Sequence, residues 1–166
     1  MKLNRGWRNN NPMNIRYVAS NRWLGRVRDN QRKDKAFAEF SNVTYGFRAA
    51  FYLLVKYYYK NKLKTPRMII SKWAPTSEND TDAYVKNVMD YMHKNGYRYL
   101  EADATLPQPD YNWDLWCKFM VAMTIQESGR MPTDIQGDHK MKQFIEKAME
   151  MVLDLKEIIR LTDAEK

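Results

Sequence analysis

Residues 125–130 read IQESGR and residues 8–16, almost the whole chain away, read RNNNPMNIR. The first stretch sets one acid, Glu127, where an apolar helical run gives way to the turn-prone pair Ser128 and Gly129. Apolar side chains behind such a carboxyl disfavour its charged form and raise its pKa, which suits a general acid at neutral pH. A lone glutamate at a helix end is more often solvated surface, so Glu127 needs partners before it means anything. The second stretch strings asparagines around Pro12. Asparagines in that setting commonly build turns on their own backbone, and their amides can equally donate to and accept from the hydroxyl and N-acetyl groups of a sugar.

Working outward from Glu127, Leu115, Trp116, Phe119, Met120, Met123 and Ile125 recur at helical steps and predict a buried helix ending near 127–129. Upstream, Tyr45, Phe47, Ala50, Phe51, Leu54, Val55 and Tyr58 predict a long helix capped by Ser41 or Thr44. In KTPRMIISKWAP, Thr65 reads as a cap, Pro66 as the first helical residue and Pro75 as the stop. A further helix starts at Asp80 or Thr81 and stops at Gly96. Residues 97–112, with Pro107 and Pro109, read as a loop and as the place for a lobe boundary. The last helix runs from Met141 through Ile145, Val152 and Leu155 to Ile159. Residues 15–40 are the single β candidate, a short twisted hairpin or ribbon in which IRYV and FAEF flank RVRDNQRKDK.

With 166 residues, the chain is long enough for one domain with a real core. A mean hydropathy of −0.74 beside 44% apolar residues describes a globular protein with a heavily solvated outside. The single Cys117 sits among Trp116, Phe119 and Met120 and reads as a core thiol, which excludes an intrachain disulfide. His93 and His139 share no ligand spacing, so neither a metal nor a cofactor is expected. The eleven methionines lie on the apolar stripes and read as gap-filling core residues. The opening MKLNRGWRNN lacks an apolar segment of signal-peptide length, and no run of about 20 apolar residues occurs. The expectation is synthesis in the cytoplasm without a signal peptide.

All of the +8 net charge lies in residues 1–35, where ten Lys and Arg face two Asp. With Trp7, Tyr17 and Trp23 interleaved, this segment can bind nucleic acid through phosphates and stacking, or attract an anionic wall polymer. A solvated face that keeps the protein dispersed is the plain alternative.

RNNNPMNIR, RWLG, FAEF, YGFRAAFYLLVKYY and WAPTSENDTDAYVKNV together resemble a family of small phage virion and prophage proteins that open with Arg-Gly-x-Arg-Asn-Asn-Asn-Pro-Gly-Asn-Ile-Arg. The likeness runs from residue 5 to about residue 90, and the family's later Glu-Asn-Gly corresponds to Glu127, Ser128 and Gly129. Met13 replaces a usual Gly and Ser128 a usual Asn, which puts a left-handed turn at Met13 in doubt.

The same modules are similar to those of bacterial peptidoglycan glucosaminidases of the lysozyme-like superfamily, whose Glu-Ser/Thr-Gly comes first rather than last. That resemblance implies an α+β, mostly α, single lysozyme-like domain over residues 1–166 with its glutamate module circularly permuted. It further implies cleavage of peptidoglycan glycan strands, by a glucosaminidase, muramidase or lytic transglycosylase, with Glu127 as general acid. Glu39 and Asp80 are candidates for a second carboxylate, and substrate assistance or closure of an anhydro ring would need none. Substrate contacts fall to Asn9, Asn10, Asn11, Asn14, Arg16, Trp23, Asn79 and Tyr84, with Trp73 and Trp113 assigned to packing. Asp80 also reads as a helix cap, and Tyr84 as a core residue. The expected partners are glycan strands and phage structural proteins, with the protein carried in a virion or released at lysis. The alternatives are a non-enzymatic virion protein that binds nucleic acid or glycan through the basic segment, and a degenerate domain that holds glycan without cutting it.

Overall fold

The computed structural model describes residues 3–132 and 138–152. The protein is mostly helical: α1 (Arg5–Arg8), α2 (Val43–Tyr59), α3 (Pro66–Trp73), α4 (Thr81–Lys94), α5 (Trp113–Ser128) and α6 (His139–Glu150). None of these helices is long and apolar enough to cross a membrane.

α5 is buried on nearly every side, Trp116, Phe119, Met120, Val121 and Met123 being fully enclosed. A helix that is apolar all round must lie inside, and α4 and α6 pack against it. Tyr58 of α2 meets Trp116 edge to face at 5.9 Å. Methionines fill the space between helices, with Met13, Met92, Met120, Met123, Met141 and Met149 all at or near zero exposure. Cys117 is buried, and that burial pushes its thiol up to about 12.

Local sequence accounts for the helix ends. The Thr65 hydroxyl accepts from Met68 N with Pro66 in the first turn, and Asp80 accepts from Ala83 N at the head of α4. α2 is capped by Asn42, whose side chain accepts from Tyr45 N, rather than by Ser41 or Thr44. α6 ends at Glu150, and the expected continuation through Leu155, Ile158 and Ile159 lies outside the described residues. The loop after α4 is fastened to the helices by Tyr58 Oη donating to Leu106 O and by Arg67 N donating to Ala102 O.

No regular ribbon forms over residues 15–40. Two isolated antiparallel bridges, Arg16 with Phe37 and Arg26 with Phe40, stand in its place. Side chains take the amides a ladder would use: Asp34 accepts from Ala36 N and Phe37 N, Glu39 from Lys33 N and Asp34 N. Within the expected hairpin, Asp29–Gln31 turns as a short 3-10 helix. Asp34 also receives both Arg5 hydrogen bonds at 2.6 Å, which hold its carboxyl well below the usual range.

The N-terminal loop is stitched to the end of α5. Trp7 Nε1 donates to Gly129 O at 3.1 Å, Ser128 Oγ to Pro12 O at 2.6 Å, and Asn14 Nδ2 to Glu127 O at 3.0 Å. Positive φ falls on Asn10 (51°) and Asn14 (53°), which tolerate it, so Met13 needs no left-handed conformation and points into the core. Gly6 permits the close approach, since a methyl group there would overlap the Ser128 side chain and press on Asn14 Oδ1.

Gly6→Ala is therefore expected to cost about 2 kcal/mol by overpacking, a fall in melting temperature on the order of 5 °C for a chain of this size. Adding Ser128→Gly to Gly6→Ala should recover part of that loss. A Gly6→Ala protein that melts with the wild type would refute the tight contact.

Candidate functional site

A cleft of about 660 Å³ opens where the N-terminal loop meets the end of α5 and the α3–α4 connection. Glu127 and Gln126 line it from α5, Asn14 and Arg16 from the N-terminal loop, Trp73 and Tyr57 from α3 and α2, and Glu78 and Asn79 from the connection. Tyr84, on the first turn of α4, completes the wall.

The Glu127 carboxylate has two polar neighbours. Asn14 Nδ2 lies 3.3 Å from Oε1, and the Tyr84 hydroxyl beside the carboxylate is shared with Met123 O at 3.4 Å. Desolvation by burial raises the Glu127 pKa, against the lowering effect of the Tyr84 and Asn14 hydrogen bonds. Tyr84 is itself pushed well above the ordinary tyrosine value, first by burial and then by the neighbouring carboxylate. It stays a donor, and is both a core residue and part of the cleft.

Of the residues expected to touch substrate, the structure brings Asn14, Arg16, Asn79 and Tyr84 into one cleft with Glu127. The others lie elsewhere. Asn11 is fully buried, donating to Ile15 O and Ala38 O and accepting from Ile15 N, so its amide is spent on the backbone. Asn10 donates to Phe40 O and Asn9 to Asp34. These three asparagines build the loop that presents Asn14. Trp23 packs on Tyr52 at 5.4 Å beside a separate cavity.

Neither expected second carboxylate lines the cleft. Glu39 is engaged by two backbone amides, and Asp80 caps α4. The second acid of the cleft is Glu78, which pairs with Arg16 at 2.9 Å across 62 residues of sequence. Sequence reading passed over it because Asn79 and Asp80 drew attention as amide and cap. Its signal was position alone, an acid between the closing Pro75 and the capping Asp80. Trp73, assigned to packing, is half-buried in the cleft wall and donates to Met13 O at 3.0 Å. The basic segment is partly committed to the fold, with Arg5 on Asp34, Arg26 beside Asp29, and Arg32 3.2 Å over the Tyr17 ring.

No family model matches the chain. It is 38% identical over 86 residues to "Protein P5" of Pseudoalteromonas phage PM2. The matched stretch is 51% of this chain and 52% of the relative, so the chain spans about half the length of the curated protein it matches.

Because the folded Glu127 binds its proton more tightly than the unfolded one, ionising it opposes folding. Its penalty is absent below the ordinary carboxyl value of 4.5 and grows as pH rises through the raised folded value. Glu127→Gln is expected to melt above the wild type near pH 7, with the gap closing by about pH 4. Melting curves across that range check it, and a gap that widens toward acid would contradict the raised pKa.

Proposed function

We propose that the protein cleaves the glycan strands of peptidoglycan, with Glu127 as general acid, in a circularly permuted lysozyme-like domain. The observation that carries this reading is a half-buried carboxyl of raised pKa on the wall of an open cleft, hydrogen-bonded by Asn14 with the Tyr84 hydroxyl beside it. The joining of residues 6–14 to residues 127–129 supports the permutation, since it sets the glutamate module beside the asparagine loop despite their separation in sequence.

Protonated Glu127 donates to the glycosidic oxygen as the sugar passes through an oxocarbenium-like state. Asn14 and Tyr84 fix the orientation of the carboxyl and stabilise the carboxylate left behind, which lowers the barrier for the proton's departure. Trp73 and Tyr57 offer ring surface for sugars, while Gln126 and Asn79 offer amides to hydroxyl and N-acetyl groups. Arg16 and Lys72 supply positive charge toward a polymer that carries carboxylates. Glu78, held by Arg16, replaces Glu39 and Asp80 as the second carboxylate available to the reaction. Likeness to a phage protein is in keeping with a wall-cutting protein carried in a virion or released at lysis.

Purified protein on cell walls, with products read by mass spectrometry, tests the reading. Reducing N-acetylglucosamine ends, reducing muramic ends or anhydro-muramic ends identify the glucosaminidase, muramidase or transglycosylase reaction. Glu127→Gln should lose activity by at least about a hundredfold, the lower end of general-acid contributions, and full activity in that variant would end the proposal. The rate should fall on the alkaline side as Glu127 loses its proton, and Asn14→Ala should change the pH at which that fall occurs.

A further inference from the structure

A second cavity of about 350 Å³ adjoins the Glu127 cleft, and Leu53 lines both. Its other walls are Ser20, Asn21, Arg22, Trp23, Arg48, Tyr52 and Lys56. Three cations and no acid face it, in contrast to the main cleft, where Glu78 answers Arg16. Arg48, Tyr52 and Lys56 fall four residues apart on α2 and so share one face of the helix. Two buried donors here, Arg48 Nε and Trp23 Nε1, have no hydrogen-bond partner among the described residues. Buried donors are nearly always paired, and one left unpaired is costly. The cavity therefore holds unpaired donors and positive charge with no carboxylate to answer them, the complement of an oxygen anion.

The position of the cavity suggests what that anion belongs to. Leu53 stands on the wall shared with the main cleft, so a group that branches from a strand lying in the cleft can enter the second cavity. Alternate sugars of a peptidoglycan strand carry peptides, which branch from the chain and bear free carboxylates.

We propose that this second cavity is an anion subsite that takes a carboxylate of the stem peptide, on a strand whose sugars occupy the Glu127 cleft; the inference rests on the glycan reading of that cleft. Arg48 and Lys56 pair with the carboxylate, the Trp23 indole donates a further hydrogen bond, and the protein thereby favours peptide-bearing strands over bare ones.

The test measures calorimetric binding to the full chain carrying Glu127→Gln, so that no turnover intervenes. The probes are a disaccharide tetrapeptide from peptidoglycan, the same disaccharide without its peptide, and inorganic phosphate. The peptide-bearing probe is expected to bind about tenfold more tightly than the bare one, the worth of one charge-assisted hydrogen bond. Adding Arg48→Ala or Lys56→Ala should erase that preference while leaving affinity for the bare disaccharide unchanged. Lys56→Ala, at a half-buried position near the end of α2, keeps the test available should Arg48→Ala fail to fold.

Preference intact in the variants, equal losses for both sugars, or phosphate competing at the affinity of the peptide would each overturn the subsite. Wall cleavage by the wild type is scored separately. A protein that binds with peptide preference and cuts nothing retains the subsite and loses the enzymatic reading. One that cuts walls yet binds both probes alike does the reverse.

Discussion

Everything at the cleft depends on how the N-terminal loop is seated against the last turn of α5. Three hydrogen bonds make that joint, from Trp7 to Gly129 O, from Ser128 to Pro12 O and from Asn14 to Glu127 O. Each joins residues more than 110 positions apart, so each is formed against a large loop-closure entropy. Gly6 makes the joint sterically possible, and Ser128 fits it because a hydroxyl is short enough to reach a carbonyl from so near. The departure from Asn at that position is thus accommodated within the joint itself.

The environment of Glu127 follows from the same joint. Buried helix lies behind the carboxyl and open cleft lies ahead. Asn14 donates to it and Tyr84 shares its hydroxyl between it and Met123 O, but neither neutralises it, and desolvation prevails in setting the direction of its pKa. Glu78 has the opposite setting, half exposed and paired with a guanidinium. Two carboxyl groups in one cleft, one starved of water and one supplied with a cation, are thereby separated in chemical character.

The helices were legible in the sequence because their signals are local. Thr65 with Pro66, Asp80 with Gly96, and the apolar stripe of α5 each act within a few residues, and their helices begin and end where those signals place them. Residues 15–40 were misread for a related reason: Asp34 and Glu39 use their carboxylates on nearby amides, and alternation of residue type cannot show that competition. Of the four loop asparagines expected at the site, Asn14 alone reaches it. The division depends on φ at Asn10 and Asn14 and on the burial of Asn11, which are properties of the closed loop. The Arg16–Glu78 pair has no local signature, since it exists only once α3 and α4 are placed.

The joint between residues 6–14 and 127–129 also governs when the cleft can exist during synthesis. A polypeptide still on the ribosome has made its asparagine loop early but has nothing for Trp7, Pro12 and Asn14 to bind until Gly129 has cleared the exit tunnel. Helices α2 to α4 can form before then, yet the acid and its two donors are translated too far apart to meet. Whatever chemistry the cleft performs is withheld from every copy not yet extended past Gly129, without any inhibitor to remove.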